Sequence, residues 1–185
     1  PGKRVSLTLV DWTEDGLEIR DRYIKSVNTL VKHLLSKGYQ IDVVPQVFYE
    51  WEGYNDLLDL VFYGVEDMSA VTFIKDNLIP SALFNQYVNS DFLIATRMHS
   101  AIFALTHSTP IVAIPYDSGG KWAILTNMGM KADYIIDYQR VTPERLVATF
   151  NKVEADAHYF DVIEQRLPEL FKDVKTNISD IKGFV

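Results

Sequence analysis

Two segments of the sequence place a cationic side chain beside backbone that can hold an anion. In the first, Arg97-Met98-His99-Ser100 directly follows an apolar run and precedes a helix-like stretch, so unpaired N–H groups of a helix start are expected there. Arginine offers a planar fork of donors for a carboxylate or a phosphate, and histidine can transfer a proton near neutral pH. We therefore predict that Arg97 binds an anionic substrate and that His99 acts as general acid or base.

The second segment, residues 116–121, reads Tyr-Asp-Ser-Gly-Gly-Lys. Paired glycines let successive N–H groups point at one anion, and Lys121 adds a positive charge. The spacing is not that of a P-loop, and Trp122 follows the lysine. A structural role is the alternative for both segments: Arg97 would pair with Asp91 or Asp117, His99 would make a local hydrogen bond, and Lys121 would be a solvated residue at a helix start.

Composition restricts the class of protein and of ligand. The 185 residues are 48% hydrophobic and 23% charged, which is typical of one globular domain. The net charge of −7 provides no general attraction for nucleic acid or anionic lipid. No cysteine is present, which excludes disulfides, thiolate nucleophiles and Cys-type zinc sites, and no histidine spacing indicates another metal. The most apolar stretch, residues 92–116, contains Arg97 and His99, so we expect no membrane span and a cytoplasmic location.

The elements that must position these residues follow from hydrophobic periodicity. Strands are predicted at 5–10, 41–47, 71–74, 91–96, 111–114 and 134–136. Helices are predicted at 18–36, 55–63, 80–88, 100–106, 121–127, from 142 into the 150s, and at 160–175 with an interruption at Leu167-Pro168. This alternation predicts an α/β fold: one doubly wound, mostly parallel, Rossmann-like sheet over residues 1–185.

Ligands of such sheets bind at the carboxyl ends of the strands. The positions concerned are Asp11-Trp12, the turn after Thr96, the turn after Ile114 and the loop after Val47. That last loop, residues 48–54, is rich in aromatic side chains, which are suited either to stacking on a sugar or to closing one edge of the core.

Residues 91–105, DFLIATRMHSAIFAL, together with TPIVAIPYD at 109–117 and Lys121, resemble the C-terminal part of polysaccharide pyruvyl transferases. In that family an Arg-Leu-His-Ser type of turn leads into a helix of small and apolar residues. A Thr-Pro or Val-Pro break, a strand and a Tyr-Asp-x-Lys segment then follow. The likeness is greatest over residues 91–130.

The resemblance implies a two-domain enzyme similar to GT-B glycosyltransferases, with the active site between its halves and this chain as the C-terminal half. Such enzymes transfer a pyruvyl group from phosphoenolpyruvate to two hydroxyls of a cell-envelope or exopolysaccharide sugar. His99 would be the catalytic residue. The substrate-binding residues would be Arg97, Ser100, Tyr116, Asp117 and Lys121. No cofactor and no metal is expected; the partners are the anionic donor, the sugar acceptor and the N-terminal half. A position at the inner face of the membrane stays open.

The sequence departs from the family pattern at two places. Val10 stands near the end of the first strand, where many members have an arginine, and Arg20 and Arg22 are expected to be solvated. Three residues rather than one separate Asp117 from Lys121. Two other interpretations therefore remain open: a nucleotide-sugar glycosyltransferase or epimerase domain of GT-B type, and a catalytically silent domain that binds a sugar or a partner.

Overall fold

A computed structural model describes residues 2–45, 54–74, 80–117 and 120–182. Its strands are β1 (Arg4–Thr8), β2 (Gln40–Val43), β3 (Val71–Phe73), β4 (Phe92–Ala95) and β5 (Ile111–Ala113). Its helices are α1 (Leu17–Ser36), α2 (Tyr54–Val61), α3 (Pro80–Val88), α4 (Met98–Thr106), α5 (Ala123–Asn127), α6 (Pro143–Ala155) and α7 (Asp161–Lys182). Two 3-10 turns, Ala132–Tyr134 and Tyr138–Arg140, lie between α5 and α6.

The strands form one parallel sheet in the order β3-β2-β1-β4-β5. Val5 of β1 pairs with Ile41 of β2 on one side and with Phe92 of β4 on the other, so β1 lies in the centre. All residues of β4 and β5 are buried, which explains their continuous apolar character. This all-parallel α/β arrangement confirms the predicted fold class.

Helix α1 covers one part of the sheet because its apolar residues recur at helical spacing. Tyr23, Val27, Leu30 and Leu34 are each fully buried on one face. The helix begins after Gly16, whose φ of 98° lies in the left-handed region that a side chain disfavours. Its neighbour is α6, which starts as predicted with Thr142 as N-cap: the Thr142 hydroxyl accepts a hydrogen bond from the Arg145 N–H at 3.2 Å.

Two predicted elements differ in the structure. The strand predicted at 134–136 is wrong, because the backbone forms the 3-10 turn Ala132–Tyr134 and then only one isolated bridge, from Ile135 to Ala113 of β5. The interruption predicted at Leu167-Pro168 is also wrong, since α7 continues through Pro168 to Lys182. Pro168 cannot donate to the preceding turn, but it and Glu164 four residues earlier are exposed, where water can satisfy the carbonyl.

Hydrogen bonds join the carboxyl ends of β1 and β4. The Thr96 hydroxyl donates to the Thr8 carbonyl at 2.5 Å, and the Thr96 N–H donates to the Thr8 hydroxyl at 3.1 Å. Both residues are fully buried, so these bonds are shielded from water. They hold in place the backbone from which the two neighbouring loops emerge.

Candidate active site

The strand order singles out one edge of the sheet. From β1 the chain moves outward to β2 and β3, and it then returns to β4 on the other side of β1. In an open α/β sheet, connections that diverge in this way leave a crevice at the carboxyl ends of the two strands, and ligands bind there. Asp11 and Trp12 follow β1, and Arg97 and His99 follow β4. The structure therefore brings two of the predicted positions to one crevice.

Arg97 forms the junction between β4 and α4. Its backbone is extended, with φ −117° and ψ 127°, and it is the N-cap residue of α4. Its side chain does not cap the helix, and its Cζ atom lies 5.7 Å from the centroid of the Tyr116 ring. A guanidinium over an aromatic face is attracted by the ring electrons, and here it is fixed beside the positive end of the α4 dipole.

Tyr116 joins the two segments that the sequence singled out. It follows β5, and the Nζ atom of Lys121 also lies 5.7 Å from its ring centroid. The structure therefore brings Arg97, Tyr116 and Lys121 into one cluster, as an anion site requires.

Asp117 balances part of this charge. Its carboxylate lies 2.6 Å from Lys121 Nζ, and the side chains are 35% and 44% exposed. The hydrogen bond that Lys121 donates to the Asp117 carboxylate is the main reason that the pKa of Lys121 is raised above its usual value. Lys121 thus stays protonated and is held near Tyr116, although its spacing differs from the family pattern. Ser118 and Gly119 lie outside the described residues.

His99 lies in the first turn of α4 and is exposed. Among the residues that the structure describes, no side chain is hydrogen-bonded to its ring, so the local hydrogen bond of the structural alternative is not found. Asp91, one acid considered for Arg97, lies at the amino end of β4 and accepts a hydrogen bond from the Arg4 N–H at 2.6 Å. His99 is two residues along the chain from Arg97, with an imidazole that solvent can reach.

Ser100 has a different position from the one expected of a ligand contact. It is fully buried; its hydroxyl donates to the Arg97 carbonyl at 2.7 Å and lies 3.2 Å from the Thr8 hydroxyl. Both bonds are internal to the junction of β1, β4 and α4. The hydroxyl therefore stabilises the turn that carries Arg97 and His99.

Sequence reasoning did not identify how the β1–α1 loop contributes to the crevice. The ring of Trp12 lies 4.8 Å from that of Tyr116, measured between centroids. Next to it, the Arg20 guanidinium forms two hydrogen bonds with Asp11, at 2.5 and 2.8 Å. The Arg20 side chain is only 15% exposed, so the prediction that it is solvated is wrong. Arg22 is likewise engaged, since it donates to the Val141 carbonyl at 3.1 Å.

Three further expectations concern a metal ion, a membrane span and the aromatic loop. Within the described ranges, no group of three His, Asp or Glu side chains could hold a metal ion. No helix in those ranges is both long enough and apolar enough to cross a bilayer. The aromatic loop at residues 48–54, suited either to stacking on a sugar or to closing one edge of the core, lies outside the described part of the chain except for Tyr54.

Solved structures share this fold at low sequence identity. The C-terminal domain of a glycosyl transferase group 1 family protein (LpcC) from Francisella tularensis is 12% identical, with a TM-score of 0.59 over 90% of this chain and 83% of that chain. An alpha,alpha-trehalose 6-phosphate synthase from Burkholderia multivorans is 11% identical, with a TM-score of 0.64 over 99% of this chain. A Thermobaculum terrenum O-GlcNAc transferase mutant is 14% identical, with a TM-score of 0.60 over 94%. The chain spans only 42% and 32% of the last two.

Sequence comparison identifies the family. No curated protein matches the chain. The sequence profile of the family described as polysaccharide pyruvyl transferase matches residues 13–118, which is more than half of the chain. The match includes five residues of the candidate site: Arg97, His99, Ser100, Tyr116 and Asp117. On the strength of this match, the chain belongs to the polysaccharide pyruvyl transferase family.

Proposed function

We propose that this chain is the donor-binding half of an enzyme that transfers a pyruvyl group from phosphoenolpyruvate to a sugar of a cell-envelope polysaccharide or exopolysaccharide. The observation that carries the proposal is the cluster of Arg97, Tyr116 and Lys121 at the carboxyl ends of the strands, with His99 exposed two residues after Arg97. Phosphoenolpyruvate carries a carboxylate and a phosphate. Two cations and a helix start offer both groups charge-assisted hydrogen bonds.

The reaction accounts for each atom of the donor. The methylene carbon takes a proton and becomes a methyl group, and a sugar hydroxyl forms a bond to the adjacent carbon. Phosphate leaves from that carbon, and a second hydroxyl of the same sugar closes the ketal. Each hydroxyl gives up its proton as its oxygen forms the new bond. We assign Arg97 and Lys121 to the donor anion and His99 to proton transfer.

The remaining site residues support these assignments. Asp117 keeps Lys121 protonated and in place, Tyr116 lies against both cations, and Ser100 fixes the turn. No step requires a metal or a cofactor. We place the reaction in the cytoplasm, with an N-terminal half completing the cleft and with loose attachment to the inner face of the membrane as an option.

A nucleotide-sugar glycosyltransferase is the second candidate, and the shared fold favours it. One solved trehalose-phosphate synthase with this fold is described as UDP-forming. Such sites need an acidic side chain for the ribose hydroxyls. Asp117 is the acidic side chain next to Tyr116, but it is ion-paired with Lys121. A carboxylate engaged in this way is less available to ribose hydroxyls, which favours phosphoenolpyruvate over a nucleotide sugar as the donor.

Thermal unfolding in the presence of ligands separates these functions. A ligand at 100 times its Kd stabilises the folded state by about 2.7 kcal/mol, which corresponds to roughly 5 to 10 °C in a domain of this size. We expect this shift with phosphoenolpyruvate and none with UDP, UDP-glucose or neutral saccharides. A shift with UDP alone would replace the proposal with the second candidate.

A further inference from the structure

Trp12 reaches the predicted site residues from a different strand of the sheet. It follows β1, whereas Arg97 follows β4 and Tyr116 follows β5. Its indole ring contacts the Tyr116 ring, with centroids 4.8 Å apart and planes inclined by 52°. Tyr116 therefore has an aromatic neighbour from one loop and two cationic neighbours, Arg97 and Lys121, from two others.

We propose that Trp12 is a positioning residue of the donor site, which holds Tyr116 and through it sets the places of Arg97 and Lys121. The inference rests on the proposed function for the identity of the donor. Tyr116 is only half-buried, so the core alone does not enclose its ring. Its contact with Trp12 restricts how far the ring can turn or shift. Since both cations lie against that ring, its position limits theirs.

Trp12 itself is held by a network of hydrogen bonds. The indole N–H donates to Asp15 Oδ2 at 3.2 Å, and Asp15 Oδ1 accepts from the Gln139 side chain at 3.0 Å. The Tyr138 hydroxyl donates to the Trp12 carbonyl at 3.2 Å. Asp15 thus connects the β1–α1 loop to the 3-10 turn Tyr138–Arg140.

The residue before Trp12 is also fixed. Asp11 is 12% exposed and forms two hydrogen bonds with Arg20 of α1. Tyr138 is fully buried, and its ring lies 4.6 Å from that of Tyr23 on the same helix. A loop tied to α1 and to the 3-10 turn is arranged before any ligand arrives, so binding does not have to order it.

Removal of the indole should leave the Tyr116 ring less restricted without removing any charge from the site. The interaction between two aromatic rings changes an equilibrium constant by about 2- to 12-fold, in addition to the effect of burying their surface. We expect W12A to raise the Kd for phosphoenolpyruvate by this factor. W12F retains a ring against Tyr116 and should bind within about twofold of the wild type. Tyr63 is 79% exposed in the turn after α2, so Y63A is a matched aromatic-to-alanine control that should have no effect.

Two measurements test the inference. Calorimetry gives the Kd for phosphoenolpyruvate, and NMR follows the ring resonances of Tyr116 and the Nε–Hε resonance of Arg97 in the unliganded protein. We expect W12A to shift both sets of resonances and to raise the Kd, W12F to restore the Kd, and Y63A to match the wild type. If W12A leaves the Tyr116 and Arg97 resonances unchanged, Trp12 does not position them.

The two proposals fail differently. A wild-type protein that binds no phosphoenolpyruvate contradicts the proposed function, while the NMR comparison still decides whether Trp12 positions Tyr116 and Arg97. Equal Kd values for wild type and W12A, with tight binding in both, overturn the inference and leave the function intact. Should W12A fold poorly, Y138F replaces it: this variant removes the hydroxyl bound to the Trp12 carbonyl and keeps the ring beside Tyr23.

Discussion

Replacement of Arg97 by alanine tests the anion site directly. A hydrogen bond to a charged group contributes about 1.5 to 3 kcal/mol, and Arg97 can offer one or two such bonds to a carboxylate or phosphate. R97A should therefore raise the Kd for phosphoenolpyruvate by at least about 10-fold and by up to about 150-fold. The fold should survive, because the Arg97 backbone, which forms the N-cap of α4 and accepts the Ser100 hydroxyl, is retained.

Two comparisons sharpen this experiment. R97K retains the charge and loses the planar fork, so its Kd should lie between those of the wild type and R97A. Arg145 is exposed on α6, and R145A removes the same charge outside the cluster of Arg97, Tyr116 and Lys121. Calorimetry at constant ionic strength measures all four proteins. An R97A variant that binds the donor as tightly as R145A would refute the reasoning, because the cluster would then not be the donor site.

Three other predictions concern catalysis and stability. H99A should lower the rate of phosphate release by about 10²- to 10⁴-fold in an enzyme completed by its other half, with little change in donor Kd; a rate near that of the wild type removes His99 from the mechanism. Lys131, 2.5 Å away, is the main reason that the pKa of Asp156 is lowered to about 2. The carboxylate therefore stabilises the fold fully above its ordinary pKa and loses this effect as the pH falls towards 2. In D156N the free energy of unfolding, measured by circular dichroism, should depend less on pH in this acid range. T142A should cost about 1 kcal/mol in urea unfolding through loss of the α6 N-cap, whereas T142S should cost much less.

The residues that carry charge could be predicted from the sequence, because their types and their place after apolar runs are local properties. Arg97 and His99 lie where the β4-to-α4 transition was expected, and Tyr116 follows the predicted fifth strand. The all-parallel sheet followed from the alternation of short apolar runs with amphipathic stretches. These features depend on periods of a few residues, which one sequence displays directly.

The order of the strands could not be predicted in this way. Nothing local indicates that β4 pairs with β1, and this pairing brings Trp12 to the crevice that Arg97 occupies. The ion pair of Arg20 with Asp11 could not be predicted either, because it depends on how α1 packs near the end of β1. A lone arginine on an amphipathic helix is typical of a solvated residue, and only tertiary contact reveals its buried partner.

Because the net charge is −7, binding of an anionic donor depends on the positive groups that line the crevice. A donor with a carboxylate and a phosphate is repelled by the protein as a whole, and at 0.1 M salt this repulsion is screened beyond about 10 Å. Attraction must therefore arise within that distance, from the two cations at Tyr116 and from the start of α4. Asp117 then has two opposing effects, since it holds Lys121 in place and cancels part of its charge. The crevice therefore has to select such a donor by where the remaining positive charges lie, because their number is small. The contact of Trp12 with Tyr116 can fix those places.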